Sequence, residues 1–222
     1  MEPVCVLFSG GVESAYLLHL QRQEGRDLHP VYVRSGYRWE DVELDHARRY
    51  LGAVDAPELR VLDAPAYDVL PESWAFSGST AEPPEADDEG GHYLHGRNVL
   101  VFTKAALYCS VEDVHDVAQG ALASNDFPDG TAEFDDAIER ALTLGLDHGI
   151  ELHRPMTDLV KHEVVARAAD AGLPLERTFS CVDPVDGVHC GRCLKCHDRR
   201  EGFQKAGLED PTEYGNPPQT SG

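Results

Sequence analysis

The sequence predicts an α/β protein with an open, doubly wound and mainly parallel sheet, followed by a small cysteine-rich segment near the C-terminus. Short apolar runs alternate along the chain with longer amphipathic stretches, as expected when strands and helices alternate. The first apolar run ends directly in a glycine turn that opens a helix. The chain has 222 residues, 41% of them hydrophobic, which is enough for a compact domain with a buried core.

The predicted strands are short and apolar. The first, 4–8, is the kind of uninterrupted apolar run that is buried in a parallel sheet. Further strands are predicted at 30–33, 59–62 and 114–117. Apolar residues at helical spacing predict helices at 14–23, 40–51, 98–108, 134–148 and 159–171, the last closed by Gly172.

The charge is strongly acidic, with 40 Asp and Glu against 19 Lys and Arg and a net charge of −21. This balance argues against a passive nucleic-acid binder, which needs a basic surface, but it allows a cationic pocket for a small anion. It also suits a protein that must stay hydrated in high salt, a hypothesis refuted if fold and activity survive without added salt. No apolar run approaches the ~20 residues of a membrane span, and no basic stretch leads into an apolar one at the N-terminus. We therefore expect a cytoplasmic protein.

The glycine turn Ser9-Gly10-Gly11-Val12-Glu13-Ser14 lies between the first strand and the first helix. Glycines let the backbone approach an anion, and the helix N-terminus offers N–H groups and a positive dipole end. The turn is neither a Walker A loop nor a dinucleotide fingerprint, because the following Lys and the third glycine are missing. Taken locally, a turn chosen only for close strand–helix packing explains the glycines equally well.

Four of the six cysteines form a cluster with short gaps: Cys181, Cys190, Cys193 and Cys196. Thiolates at this spacing can close a tetrahedral zinc site, and four of them leave no open position, so the metal is predicted to be structural. An iron–sulfur cluster is the alternative. His189 and His197 flank the cluster and could substitute for a cysteine as ligands, but both are expected to be free surface side chains. Cys5 and Cys109 are expected inside a strand and at a helix end.

Two signals together resemble a known family. The turn is similar to the Ser-Gly-Gly-x-Asp-Ser pyrophosphate loop of the N-type ATP pyrophosphatases, whose fold is adenine nucleotide alpha hydrolase-like. With the C-terminal cysteines, the chain resembles the 7-cyano-7-deazaguanine synthase (QueC) family nearly end to end. Further similar motifs are His95-Gly96-Arg97-Asn98, Lys161-His162-Glu163-Val164-Val165, Phe179-Ser180-Cys181 and the run from Cys190 to Tyr214.

The resemblance implies an ATP-dependent ligase. It would activate 7-carboxy-7-deazaguanine as an adenylate with release of pyrophosphate, form the amide with ammonia, and dehydrate the amide to the nitrile. It implies a homodimer, one structural Zn²⁺ per chain and ATP with Mg²⁺. The implied catalytic residues are Lys161, Arg97 and Glu13, and the implied nucleotide-binding residues are Leu7, Phe8, Ser9, Gly10, Gly11, Val12, Glu13 and Ser14.

The chain departs from the family pattern at Glu13, where the family usually shows Asp, and in the segment 120–134. Leu122 and Thr131 stand where the family has the Asn and Arg that help hold the deazaguanine base and its carboxylate. The adenylating machinery is thus better supported than the substrate. A paralogue acting on a related acid, transfer of the activated base to another amine, a tRNA-thiolating enzyme and a non-enzymatic nucleotide-binding module remain alternatives.

Several residues have competing interpretations. Arg97 either serves the site or forms a salt bridge at a helix start, and Asp129-Gly130 either faces the pocket or forms a simple turn. Asn125 and Asp126 are candidates to face the pocket, and Asp158 is expected to be an N-cap. The polar stretch 77–91 is a solvated loop or a lid over the site.

Three units are expected along the chain. Residues 1–175 form the nucleotide-binding α/β domain, 176–214 the zinc-binding segment packed on it, and 215–222 a flexible tail. From Asp210 onward the chain is rich in Pro and Gly and is expected to be loosely held.

Overall fold

The computed structural model describes residues 1–76, 83, 93–123 and 127–216. Within these residues the chain forms five strands: β1 (Pro3–Leu7), β2 (Asp27–Arg34), β3 (Arg60–Asp63), β4 (Asp116–Ala118) and β5 (Glu151–His153). All neighbours pair in parallel, in the order β3-β2-β1-β4-β5. The open parallel sheet predicted from the sequence is confirmed.

In the same residues the helices are α1 (Val12–Gln23), α2 (Glu40–Ala53), α3 (Arg97–Glu112), α4 (Ala132–Leu146), α5 (Lys161–Asp170) and α6 (Leu194–Lys205). On one face of the sheet α1, α2, α5 and α6 pack with Val4 and Val6 of β1. On the other face α3 and α4 pack with Cys5 of the same strand. Because successive side chains of a strand point to opposite faces, β1 must be apolar throughout.

The order of the strands fixes where a ligand can bind. The chain winds from β1 through β2 to β3, and then crosses to β4 and β5 on the other side of β1. The connections that follow β1 and β4 therefore leave in opposite directions. Open α/β sheets bind ligands in the crevice that this reversal leaves outside the carboxyl ends of the strands.

Two elements were not predicted. Strand β5 is a three-residue edge strand, Glu151-Leu152-His153, too short to show a pattern. Helix α6 shows no apolar stripe because its buried positions include Cys196, Arg199 and Gly202 as well as Phe203. The strand predicted at 114–117 begins two residues later in the structure and spans Asp116–Ala118.

The sequence predicts Asp158 as an N-cap, and this prediction is wrong because α5 begins only at Lys161. The N-cap of α5 is Val160, whose N–H donates to the Glu163 carboxylate at 3.0 Å. The polar stretch 77–91, apart from Pro83, and the pair Asn125 and Asp126 lie outside the described residues. Among the helices that are described, none is both long and apolar enough to cross a membrane.

Candidate active site

The glycine turn joins β1 to α1 and is held by the Ser14 hydroxyl. Ser14 Oγ accepts a hydrogen bond from the Gly10 N–H and donates one to the Gly11 carbonyl, both at 3.0 Å. Ser9 Oγ lies 3.4 Å from Ser14 Oγ. Gly11 is the N-cap of α1, so the N–H groups of the next turn have no acceptor within the helix. Such a helix start binds anions well.

The turn contains one glycine that packing requires. Gly10 has a φ of +83°, and a Cβ there would lie 3.1 Å from Ala47 Cα in α2. Val12 is fully buried in the core. Within residues 7–14, all of which are described, the cavity wall includes every residue of the predicted nucleotide-binding set except Gly10 and Val12. The close approach of α2 gives Gly10 a packing role, and the nucleotide-binding set stays a prediction.

The other residues of the turn open into a cavity of about 580 Å³. Its wall takes Leu7 and Phe8 from the end of β1, Tyr32 and Val33 from β2, and the residues 119–122 that follow β4. The cavity therefore occupies the crevice between β1 and β4 where the winding of the sheet reverses.

Lys161 and Glu13 meet inside this cavity. Lys161 Nζ donates to Glu13 Oε1, and the two side chains are 25% and 22% exposed. Burial by itself would raise the pKa of Glu13, but the Lys161 ammonium outweighs burial and holds that pKa below its ordinary value. Glu13 is thus ionised, and its charge keeps the ammonium in place beside the glycine turn.

Arg97, the third predicted catalytic residue, is the first residue of α3 and lines the same cavity. With the described residues it forms no salt bridge, so the alternative of a helix-start ion pair is not found. The three predicted catalytic side chains come from α1, α3 and α5, and the fold brings them to one place.

Asp129 is both a turn residue and a cavity residue. It lies in the 3₁₀ turn Pro128–Gly130, and its carboxylate accepts from the Asn98 N–H at 2.9 Å. The Asn98 amide donates to the Asp129 carbonyl at 2.7 Å and accepts from Gln119 at 3.1 Å. This network fixes the start of α3, and with it the position of Arg97.

Glu43 and Lys195 are among the cavity residues that sequence reasoning missed. Glu43 of α2 accepts a hydrogen bond from the Tyr32 hydroxyl, and burial raises the pKa of Glu43 to about 7, against the opposing effects of Tyr32 and Arg97. Lys195 of α6 is 46% exposed, lines the cavity, and has its Nζ 3.8 Å from Asp198. The local sequence around each of these two residues is typical of an ordinary surface helix.

The four clustered cysteines are buried side by side, with their Sγ atoms all within 4.8 Å of one another. The pairs Cys181–Cys193 and Cys190–Cys196 have Sγ–Sγ distances of 3.9 Å, too long for a disulfide of about 2.05 Å. Backbone N–H groups donate to these sulfurs at 3.3–3.4 Å, from Asp183, Cys190, Gly191, Arg192 and Cys193. Four converging sulfurs, of which those of Cys181, Cys190 and Cys196 accept these N–H bonds, suit thiolates around one metal ion.

Residues 3–207 match the family model of the queuosine biosynthesis protein QueC. The chain belongs to the QueC family. It is 32% identical to the 7-cyano-7-deazaguanine synthase of Methanopyrus kandleri, over 96% of this chain and 99% of that protein. It is 34% identical to the 7-cyano-7-deazaguanine synthase of Methanothermobacter thermautotrophicus, over 94% of this chain and 97% of that one. The resemblance inferred from the motifs is confirmed, and the chain is an enzyme of this family.

Among solved structures, the chain is similar to the U34-tRNA thiolase NcsA from Methanococcus maripaludis, solved with its 4Fe-4S cluster. The TM-score is 0.52 at 10% identity, over 92% of this chain and 67% of that one. The likeness concerns the fold, and it agrees with the PP-loop architecture predicted from the glycine turn.

The departures from the QueC pattern have different structural settings. Leu122 lines the cavity as an apolar group. Thr131 does not line it; its hydroxyl accepts from the Phe134 N–H at 3.2 Å and caps α4. Thr131 therefore has a structural function at a position where the resemblance implies an Arg.

The cysteine segment is bonded to the glycine turn, since the Phe179 N–H donates to the Gly10 carbonyl at 2.8 Å. The sequence predicts His189 as a free surface side chain, but it is only 4% exposed. Its ring accepts a hydrogen bond from the Ser180 N–H at 3.1 Å. Burial and the Arg199 charge lower the pKa of His189 to about 3, so its ring is neutral. His197 is exposed, as predicted.

The chain beyond Asp210 is more firmly held than expected. The Tyr214 hydroxyl donates to Asp210 at 2.6 Å, and Arg199 Nε donates to Thr212. At the start of the expected flexible tail 215–222, the Gly215 N–H donates to the His189 carbonyl and the Asn216 amide donates to the Cys190 carbonyl. Residues 217–222 lie outside the described part.

Proposed function

We propose that this enzyme converts 7-carboxy-7-deazaguanine to 7-cyano-7-deazaguanine in two ATP-dependent steps. The carboxylate is first activated as an adenylate and aminated by ammonia, and the amide is then dehydrated to the nitrile. The supporting observation is one cavity that joins a helix N-terminus, the Lys161–Glu13 pair and Arg97 at the reversal of an α/β sheet. The names of the relatives supply the identity of the nitrile product, and the acid is the one that the resemblance implies.

The cationic groups of the cavity fit a nucleoside triphosphate. The first turn of α1 provides N–H donors, and Lys161 and Lys195 provide positive charge around it. We propose that ATP binds with its leaving pyrophosphate on the glycine turn. Mg²⁺ is its expected counter-ion, and the ionised Glu13 is the candidate protein ligand for that metal.

The chemistry in this proposal depends on charge stabilisation and positioning. A carboxylate is a poor electrophile, whereas an acyl adenylate carries a good leaving group. When the acid attacks the α-phosphorus, the bond to pyrophosphate breaks, and Lys161 stabilises the charge that develops on the leaving oxygens. Ammonia then displaces AMP and leaves the amide. A second ATP activates the amide oxygen, whose departure with AMP and the loss of two protons leave the nitrile.

The remaining wall of the cavity fits a flat heterocycle. Trp39, Tyr93 and Phe127 line it, the last two with ring centroids 4.9 Å apart. The Gln119 side-chain oxygen is buried there and has no hydrogen-bond partner among the described residues. Such an acceptor is suited to an N–H group of the deazapurine base.

We propose Zn²⁺ as the metal of the cysteine segment, bound by Cys181, Cys190, Cys193 and Cys196 in a closed structural site. Four thiolates leave no position for substrate, so the metal stabilises the segment 176–214 itself, which is hydrogen-bonded to the nucleotide-binding domain 1–175 through Phe179 and Gly10. Metal analysis of the purified protein tests this, with about one zinc and no iron per chain as the expected result. Visible absorption from sulfur-to-iron charge transfer would instead support the iron–sulfur alternative.

Pyrophosphate release from Mg-ATP, with and without 7-carboxy-7-deazaguanine, tests the function, with mass analysis of the product. We expect release that depends on the acid, and a nitrile when ammonia is present. Lys161→Ala is expected to slow release by about 100-fold or more, since an electrostatic contact to the leaving group is lost. Lys104→Ala, a change in α3 outside the cavity, is the control. Unchanged release in Lys161→Ala refutes this assignment.

Other outcomes of the same assay distinguish the alternatives. Release with a related acid identifies a paralogue, and product attached to another amine identifies a transferase. Tight ATP binding without release identifies a binding module. Against tRNA thiolation stand the charge of −21 and the full burial of Cys5 and Cys109 away from the cavity. Cys181 does line the cavity, but it belongs to the proposed metal-binding set. The homodimer implied by the resemblance is tested by light scattering.

A further inference from the structure

Helix α6 of the cysteine segment packs on α5, and its contact with Lys161 falls on a glycine. A Cβ built on Gly202 would lie 2.9 Å from Lys161 Cγ and 3.5 Å from Val165 Cγ2. Real Cβ atoms essentially never approach a neighbour within 3.0 Å. The aliphatic part of the Lys161 side chain therefore crosses α6 at Gly202, which has no side chain.

The clash would fall on a part of Lys161 that controls its ammonium. Cγ lies near the base of the side chain, so moving it requires another χ1 or χ2 angle and carries Nζ with it. Lys161 is also the first residue of α5, so its backbone is tied to that helix. The ammonium would leave Glu13 and the glycine turn, to which it is now directed.

The position of α6 is set by the cysteine cluster. Cys193 is the N-cap of the helix and Cys196 lies in its first turn. At the other end Phe203, adjacent to Gly202, is buried in the main core. The cluster and the core thus hold Gly202 against Lys161.

We propose that Gly202 is a positioning residue for Lys161, so that the cysteine segment shapes the phosphate end of the cavity as well as closing a metal site. This inference rests on the function proposed above for Lys161. An alanine in a helix interior normally favours the helix over glycine. Gly202→Ala is therefore expected to lose activity while keeping its thermal stability.

The test uses the full-length, metal-loaded protein and the rate of pyrophosphate release. Because a displacement of about 1 Å can cost about 100-fold in rate, we expect Gly202→Ala to reduce kcat by about 10- to 100-fold with a smaller change in KM. The control is Gly145→Ala, another glycine within a helix, whose added Cβ has nothing within 4 Å. It should keep full activity.

A double-mutant cycle separates positioning from a general structural effect. In the Lys161→Ala background there is no stem to displace, so Gly202→Ala should then change the rate by less than about 2-fold. Equal losses in both backgrounds overturn the proposal, and so does full activity of Gly202→Ala when Lys161→Ala is impaired. Failure of Gly202→Ala to fold overturns it too, because the backbone and not Lys161 would then take up the clash. If Lys161→Ala is itself fully active, the role proposed for Lys161 fails.

Discussion

Glu43→Gln tests whether the cavity keeps a carboxyl group protonated near neutral pH. Burial raises the pKa of Glu43 from 4.5 to about 7 in the folded protein. Between these two values the folded state binds more protons than the unfolded chain, so the contribution of Glu43 to stability falls as the pH rises. At about 1.36 kcal/mol per pKa unit the loss above pH 7 is at most about 3 kcal/mol, and partial exposure reduces it to about 1–2 kcal/mol.

The measurement is the free energy of unfolding in urea at pH 5 and pH 8, at one fixed salt concentration. Glutamine cannot ionise and still accepts the Tyr32 hydroxyl, so we expect the variant to be more stable than the wild type by about 1–2 kcal/mol at pH 8 and nearly equal at pH 5. Glu58→Gln, at an exposed loop position, is the control. A difference that is the same at both pH values would show that Glu43 does not titrate as argued.

Three further outcomes are expected. Because the net charge is −21, raising NaCl from 0.05 to 1 M should increase Tm by about 5 °C, and an unchanged Tm in calorimetry would contradict this. Chelation of the proposed metal should expose the four clustered thiols to a thiol reagent and abolish pyrophosphate release at the same time. Full activity after complete removal of the metal would contradict a functional packing of this segment on the glycine turn. Lys195→Met should raise KM for ATP by about tenfold relative to the control Lys104→Met, since one charge at the cavity is lost; equal KM values would contradict a phosphate contact.

The fold was largely predictable because its signals are local. A strand buried on both faces must be apolar throughout, as 4–8 is, and helices that cover it must alternate with such runs. Strand β5 and helix α6 escaped prediction because their stability comes from tertiary contacts. In α6 the buried set includes Arg199, whose guanidinium donates to the Leu175 carbonyl at 2.9 Å and to Thr212. A polar residue in that position hides the helix face from any hydrophobic pattern.

The candidate site was predictable where chemistry imposes a spacing, and not elsewhere. The glycine turn and the four cysteines are found this way, because backbone geometry and metal coordination restrict both residue type and separation. Glu43, Lys195 and Gly202 have no such signal. Their roles depend on which helices pack against each other, and the local sequence does not show this packing.

The resemblance implies a cation at position 131 for the carboxylate of the proposed acid, and Thr131 supplies none. In the described cavity wall the cationic side chains are Arg97, Lys161 and Lys195. Lys161 is directed to Glu13 beside the glycine turn, and on the function proposed above we assign it to the phosphates. Arg97 is fixed by the Asn98–Asp129 network on the opposite face of the sheet, and its planar fork suits a carboxylate.

We therefore expect Arg97→Lys to raise KM for the acid by about tenfold or more while KM for ATP changes little, because a lysine keeps the charge and loses the two-point contact. Steady-state kinetics with each substrate varied in turn measures this. A larger effect on ATP than on the acid would place Arg97 with the phosphates. The carboxylate would then need a cation from outside the described cavity wall. That result would count against 7-carboxy-7-deazaguanine as the acid substrate.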